Sequence, residues 1–194
     1  MITEEVLTKL YIKNNLSMKQ IAKSLNCSTN KVVYWMDKYQ IKRRSISEAV
    51  YIKAHPDGDP FKKESIDSIE KAYIAGLGVG LYWGEGVKAN KYSVRLGNSG
   101  PVLINSFIKF LECIFNVKKM DMKFGLQIFT DIDVKKAILF WSKEIGINRS
   151  QFYKPHVTIS GSIGSYRHKS KYGVLTVYYN NKKLRDEVFA MLPG

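Results

Sequence analysis

The sequence predicts an α+β protein. A three-helix module of helix-turn-helix type over residues 1–44 is followed by a connector over 45–64. A larger domain over 65–194 then places an antiparallel or mixed sheet under covering helices. Three observations carry this reading. Apolar stripes at helical spacing recur three times before residue 44, the second and third behind caps, a glycine-rich helix opens the second part, and alternating strands separated by helical segments fill the rest.

Residues 4–13 carry Val6, Leu7, Leu10 and Tyr11 at helical spacing, one buried stripe. Ser17 and Gln20 stand in capping-box positions ahead of Ile21, Ala22 and Leu25. Asn26 enters the left-handed region at little cost, as a sharp stop after a helix requires. Ser28 caps a third helix, 29–38, whose inward face is Val32, Trp35 and Met36 and whose outward face holds Asn30, Lys31, Val33 and Tyr34. Helix, tight turn and capped helix with polar residues at its exposed start is the helix-turn-helix pattern, whose second helix enters the major groove of DNA. An ordinary three-helix packing unit would share the pattern. Lys42, Arg43 and Arg44 supply the phosphate-binding charge that favours the DNA reading.

The composition points the same way. The chain has 194 residues, 45% hydrophobic and 12% aromatic, and carries 31 Lys and Arg against 17 Asp and Glu, a net charge of +14. A polyanionic partner follows. No apolar stretch is long enough to span a bilayer. The opening Met-Ile-Thr-Glu-Glu lacks the basic start and apolar core of a signal peptide, so a cytoplasmic, nucleoid-associated protein with no membrane partner is expected. Cys27 and Cys113 sit in apolar patterns with no Cys or His at ligand spacing and are expected as small core residues. In the connector, 47–54 has the pattern of a short helix, and His55-Pro56-Asp57-Gly58-Asp59-Pro60 is a turn. The ligands that would make Asp57 and Asp59 part of a calcium loop are absent.

The second domain begins near Ser65 with a helix that runs through five glycines, from Gly76 to Gly86. Each costs about 1 kcal/mol in a helix relative to Ala, so something must offset them. Gly76, Gly80 and Gly84 recur every fourth residue and form a bare face suited to close approach of another helix backbone. Glu85 places a carboxylate at the negative end of the helix dipole, a placement that a nearby cation would explain.

These residues resemble the nine-residue motif of the LAGLIDADG homing endonucleases. Gly80-Leu81 matches its central Gly-Leu, and Glu85-Gly86 its closing acidic residue and Gly. Gly78-Val79 stand where the motif has Leu-Ala, Trp83 where it has an acidic residue, and Glu85 where Asp is usual. With the helix-turn-helix, Phe140-Trp141-Ser142 and Arg149-Ser150-Gln151-Phe152, the chain is also similar to bacterial proteins with LAGLIDADG-like domains. The resemblance implies that two such helices pack face to face, from two chains, because each chain has one motif. It further implies that Glu85 is the catalytic metal ligand for Mg2+ or Mn2+ in hydrolysis of a DNA phosphodiester. A transcriptional regulator or architectural DNA binder of the same fold, without cleavage, is the other reading.

Along the rest of the domain, Tyr92, Val94 and Leu96 alternate with Ser93 and Arg95, and Met122, Phe124, Leu126 and Ile128 with Lys123, Gly125 and Gln127. Tyr153, Val157 and Ile159 alternate with Lys154, His156 and Thr158, and Leu175, Val177 and Tyr179 with Thr176 and Tyr178. Helices are expected over 101–115, over 134–145 with Asp131 or Asp133 as cap, and over 183–192. The polar sheet face then collects Arg95, Lys123, Gln127, Lys154, His156, Thr176 and Tyr178, groups that read base edges in a major groove. A solvated sheet face, common in antiparallel proteins, is the other reading. Arg167, His168, Lys169 and Lys171 make 161–171 a basic loop suited to phosphate, or a solvated hairpin.

Overall fold

The computed structural model describes residues 1–160 and 170–194. The chain divides into two compact units, Met1–Pro60 and Phe61–Gly194.

In the first unit Thr3 caps α1 (Glu4–Leu7), which widens into a π-helical segment, Thr8–Lys13, so that the single helix expected over 4–13 changes pitch midway. The capping box at Ser17 forms, with Gln20 N–H donating to Ser17 Oγ at 3.3 Å and Ser17 N–H to Gln20 Oε1 at 2.8 Å, and opens α2 (Met18–Ser24). Asn26 takes φ +46°, and the Cys27 amide returns to the Ala22 carbonyl at 2.9 Å. This is the left-handed stop that frees the chain to start α3 (Thr29–Lys38) under its Ser28 cap. Ile2, Leu7, Tyr11, Ile21, Ala22, Val32 and Met36 form the core of this three-helix arrangement. Trp35, expected inward, is only half-buried and stacks on Tyr39 with centroids 5.5 Å apart. A further helix, α4 (Ile46–Ala54), begins one residue earlier than the sequence pattern predicts, because Ser45 and Glu48 form a second capping box. Gly58 at φ +104° makes the turn expected between Pro56 and Pro60.

The second unit starts before residue 65. The amides of Lys62 and Glu64 donate to the carbonyls of Phe115 and Ile114 at 2.9 and 2.8 Å, capping a helix end that would otherwise leave them unpaired. Ser68 then caps α5 (Ile69–Glu85). After it come β1 (Val94–Asn98), α6 (Pro101–Phe115), β2 (Lys123–Phe129), α7 (Val134–Ile145), β3 (His156–Thr158), β4 (Val174–Tyr179) and α8 (Lys182–Ala190). Asp133 is the cap of α7, accepting from the amides of Lys135 and Lys136.

The sheet order is β1-β4-β2-β3. β4 pairs antiparallel with both β1 and β2, while β3 runs parallel to β2, because α7 carries the chain back between them. The sheet is therefore mixed. Its buried face holds Val94, Leu96, Phe124, Leu126, Ile128, Leu175, Val177 and Tyr179 in one core with Ile104, Phe107, Ile108 and Leu111 of α6 and Trp141 of α7. Two details depart from the sequence reading. Tyr92 lies outside β1, and β3 is only three residues long because Pro155 lacks the amide that would extend it, which leaves Lys154 outside the strand.

Among the described residues no helix is long and apolar enough to cross a membrane. Cys27 and Cys113 are free and half-buried against the two cores.

Candidate nucleic-acid interface

In the first unit, Asn30 and Lys31 are exposed at the start of α3, and Tyr34 stands 61% exposed one turn later, its ring edge-on to Trp35. These three share the outward face. Lys42 is exposed, and Arg43 approaches Asp37 at 3.9 Å while remaining largely solvated. Arg44 is placed differently. Its guanidinium lies over the Tyr11 ring with Cζ 4.1 Å from the centroid. It donates to the carbonyls of Tyr11, Asn15 and Leu16 and to Asn15 Oδ1. Four hydrogen bonds from its two terminal nitrogens, three to backbone carbonyls and one to the Asn15 side chain, make Arg44 a clamp on the chain between Tyr11 and α2. Expected beside Arg43 as a phosphate contact, it instead satisfies orphan backbone acceptors.

In the second unit the face of the sheet turned away from the helices carries Arg95, Gly97, Lys123, Gly125, Gln127, His156, Thr176 and Tyr178. The four strands, VRLGN, KFGLQIF, HVT and VLTVYY, contain no carboxylate. Register brings the face together: Arg95 and Lys123 flank Tyr178, Gly97 and Gly125 flank Thr176, and Gln127 stands beside His156. The two glycines have a packing reason. A Cβ on Gly125 would come 2.8 Å from the Tyr178 ring, and one on Gly97 would come 2.8 Å from Thr176 Oγ1. Tyr178 therefore lies down across β2. Lys123 Nζ reaches the Ser150 carbonyl at 3.3 Å. Lys154 is exposed ahead of the first residue of β3.

Four residues are not where alternation would put them: Val157 and Ile159, expected inward, are 44% and 71% exposed because β3 is a short edge strand, and Tyr153 and Ser93 are also displaced. Tyr153, expected with the inward set, packs edge-on against Tyr178 at 5.3 Å and accepts from Asn180 Nδ2 at 2.9 Å, since Pro155 interrupts the strand between it and Val157. Ser93, expected on the polar face, is 1% exposed. Pro155 was the available signal for Tyr153, and Asn90, whose Oδ1 accepts from the amides of Tyr92 and Ser93 and from the Ser93 hydroxyl, was the signal for Ser93. Lys171 is exposed with Nζ 5.5 Å from the Tyr172 centroid. Arg167 and Lys169 lie outside the described residues.

The glycine helix divides into two faces. Gly78 is buried against Phe110, whereas a Cβ on Gly76, Gly80 or Gly84 would meet nothing within 4 Å among the described residues. The bare ridge thus faces outward in this chain, bordered by Ile69, Tyr73, Leu77 and Trp83, all exposed. The close helix approach that the sequence places at Gly76, Gly80 and Gly84 is made inside the chain at Gly78. Glu85, the last residue of α5, is exposed and makes no hydrogen bond or ion pair among the described residues. The cation expected near this helix end is partly supplied by Lys88, whose ammonium donates to the Trp83 carbonyl at 2.5 Å. Among the described residues no three His, Cys, Asp or Glu side chains converge into a metal site.

No protein-family model, no curated protein and no solved structure matches this chain.

Proposed function

We propose that this protein is a sequence-specific double-stranded DNA-binding protein and, through its resemblance to the LAGLIDADG proteins, a divalent-metal-dependent DNA endonuclease acting as a homodimer. The observation that carries the DNA reading is the sheet face turned away from the core, whose four strands hold cationic, amide and hydroxyl groups without one carboxylate. A merely solvated face has no reason to exclude acidic residues, whereas a face set against phosphates and base edges does. The exposed start of α3, with Asn30, Lys31 and Tyr34, is the second contact, in the manner of a recognition helix.

The catalytic part rests on α5. Its outward ridge of Gly76, Gly80 and Gly84 leaves room for an identical helix from a second chain, and Glu85 closes that ridge with a carboxylate whose oxygens have no partner among the described residues. A free carboxylate suits a hard cation such as Mg2+ or Mn2+. One per chain means that two chains would complete the site. The bound cation would supply positive charge to a scissile phosphate, while this chain would hold the duplex and exclude other registers.

One observation favours the regulator reading: Lys88 already neutralises carbonyl charge at the helix end where the metal would stand. The experiment is cleavage of a duplex that the wild-type protein has been proved to bind, across Mg2+ and Mn2+, beside Glu85→Gln. Loss of cutting with retained binding supports the endonuclease. Cutting that survives the substitution rejects Glu85 as ligand, and absence of cutting by the wild type supports the regulator.

A further inference from the structure

Arg95 is the only guanidinium on the described sheet face, and it is held on two sides. Its Nε donates to Ser93 Oγ at 2.7 Å, and its Cζ stands 5.2 Å from the centroid of the Tyr178 ring. Ser93 is itself committed. Its hydroxyl donates to Asn90 Oδ1 at 2.9 Å, which also accepts the amides of Tyr92 and Ser93 at 2.9 Å each. Asn90 is fixed in turn by Arg185 of α8, whose Nε donates to the Asn90 carbonyl and whose terminal nitrogen donates to the Lys88 carbonyl, both at 3.1 Å. A run of hydrogen bonds from α8 through the loop before β1 therefore ends on the inner edge of one guanidinium. Among the described residues its two terminal nitrogens have no acceptor.

We infer that Arg95 is the specificity-determining residue of the sheet face, presenting its terminal nitrogens to the O6 and N7 of a guanine in the major groove, and that Ser93 is its positioning residue. The inference rests on the DNA-binding reading above. The chemistry selects the base. A guanidinium has donors only, so its paired nitrogens need two acceptors side by side; guanine offers N7 and O6, whereas adenine offers an acceptor beside a donor. A phosphate also offers paired acceptors. Arg95 leans inward over Tyr178 of the neighbouring strand, not off the outer edge of β1, which places it above the sheet where a groove floor would lie. Holding the fork before DNA arrives removes much of the rotamer entropy that a free arginine loses on binding.

The test begins with wild-type protein and a duplex enriched from a randomised pool, in which each guanine is replaced singly by 7-deazaguanine. One replacement should weaken binding on the order of tenfold, and that replacement should have no effect on Arg95→Ala, which removes the donors that would reach the base. Ser93→Ala should flatten the response at the same guanine while leaving the salt dependence of binding unchanged, a result that a general loss of stability would not give. If no 7-deazaguanine matters to the wild type, or if Arg95→Ala keeps the wild-type profile, the inference is overturned although DNA binding stands. An Arg95→Ala variant that loses about one unit of salt slope, with no change in base preference, assigns the arginine to phosphate and also overturns it. Failure of the wild type to bind any duplex would reject the DNA reading itself.

Discussion

Gly78 of α5 lies so close to Phe110 of α6 that a Cβ on the glycine would fall inside van der Waals contact with the ring, under 3.0 Å from its Cγ. Phe110 is fully buried and packs on Phe107 and Phe115, so it has nowhere to retreat. Gly78 is thus required by packing within the chain, and Gly76, Gly80 and Gly84 are not.

A paired substitution separates the two kinds of glycine. Gly78→Ala should destabilise the second unit by about 1–3 kcal/mol through overpacking. Gly80→Ala, with open space around it, should stabilise an isolated chain by about 0.8–1 kcal/mol through helix propensity. Urea denaturation at low protein concentration measures both, and equal effects would contradict this division of the helix.

The outward ridge then has its own test. Gly80→Leu should leave folding intact and abolish association of two chains, because the side chain fills the space a second helix would use. Light scattering with and without DNA measures it. A wild type that stays monomeric at high concentration in both conditions would refute the dimer.

Arg43 and Arg44 should part company despite being neighbours. Arg44→Ala should lower the stability of the first unit by on the order of 2 kcal/mol, because charge-assisted bonds to the carbonyls of Tyr11, Asn15 and Leu16 are lost. Arg43→Ala should leave the melting temperature unchanged and reduce the salt slope of DNA binding by about one unit. Thermal melts beside a salt titration of binding distinguish the two effects.

Tyr82 carries a buried phenol oxygen with no hydrogen-bond partner among the described residues, and burial pushes its ionisation upward, with Arg185 opposing. Tyr82→Phe removes that unpaired oxygen and keeps the ring stacked 5.9 Å from Phe107. Stability should be unchanged or higher by about 1 kcal/mol, measured by denaturant midpoint at constant slope. A clear loss of stability would mean that the oxygen has a partner.

The pH response of α7 follows from its cap. Amide hydrogen bonds, from Lys136 first and Lys135 after it, hold the Asp133 carboxyl below the usual carboxylate range. Because the folded value is depressed, the cap contributes stability above the ordinary aspartate pKa and loses it as pH falls through the folded value. Asp133→Asn should flatten this acid limb in thermal melts, and an unchanged limb would place the acid sensitivity elsewhere.

Much of this protein was readable in order along the chain. Ser17 with Gln20, Asn26, Ser28 and Asp133 each act through hydrogen bonds spanning at most five residues, so their roles follow from near neighbours. The strands were legible because alternation reports which side of a pleat meets the core, and Val94, Leu96, Phe124, Leu126, Leu175 and Val177 are buried accordingly. The polar face followed as the complement. Tertiary structure decided what depends on a distant partner. Arg44 looks like any basic residue after a helix until Tyr11, 33 positions earlier, comes beneath it. The loop that encloses the Ser93 hydroxyl is held in turn by Arg185, 95 positions after the Asn90 carbonyl to which it donates. The glycine repeat names a bare face, but only the position of Phe110 determines that Gly78 meets a neighbour in the chain while Gly76, Gly80 and Gly84 do not. Periodicity records which side of an element is apolar; the identity of the atoms that arrive there is a property of packing between segments far apart in the chain.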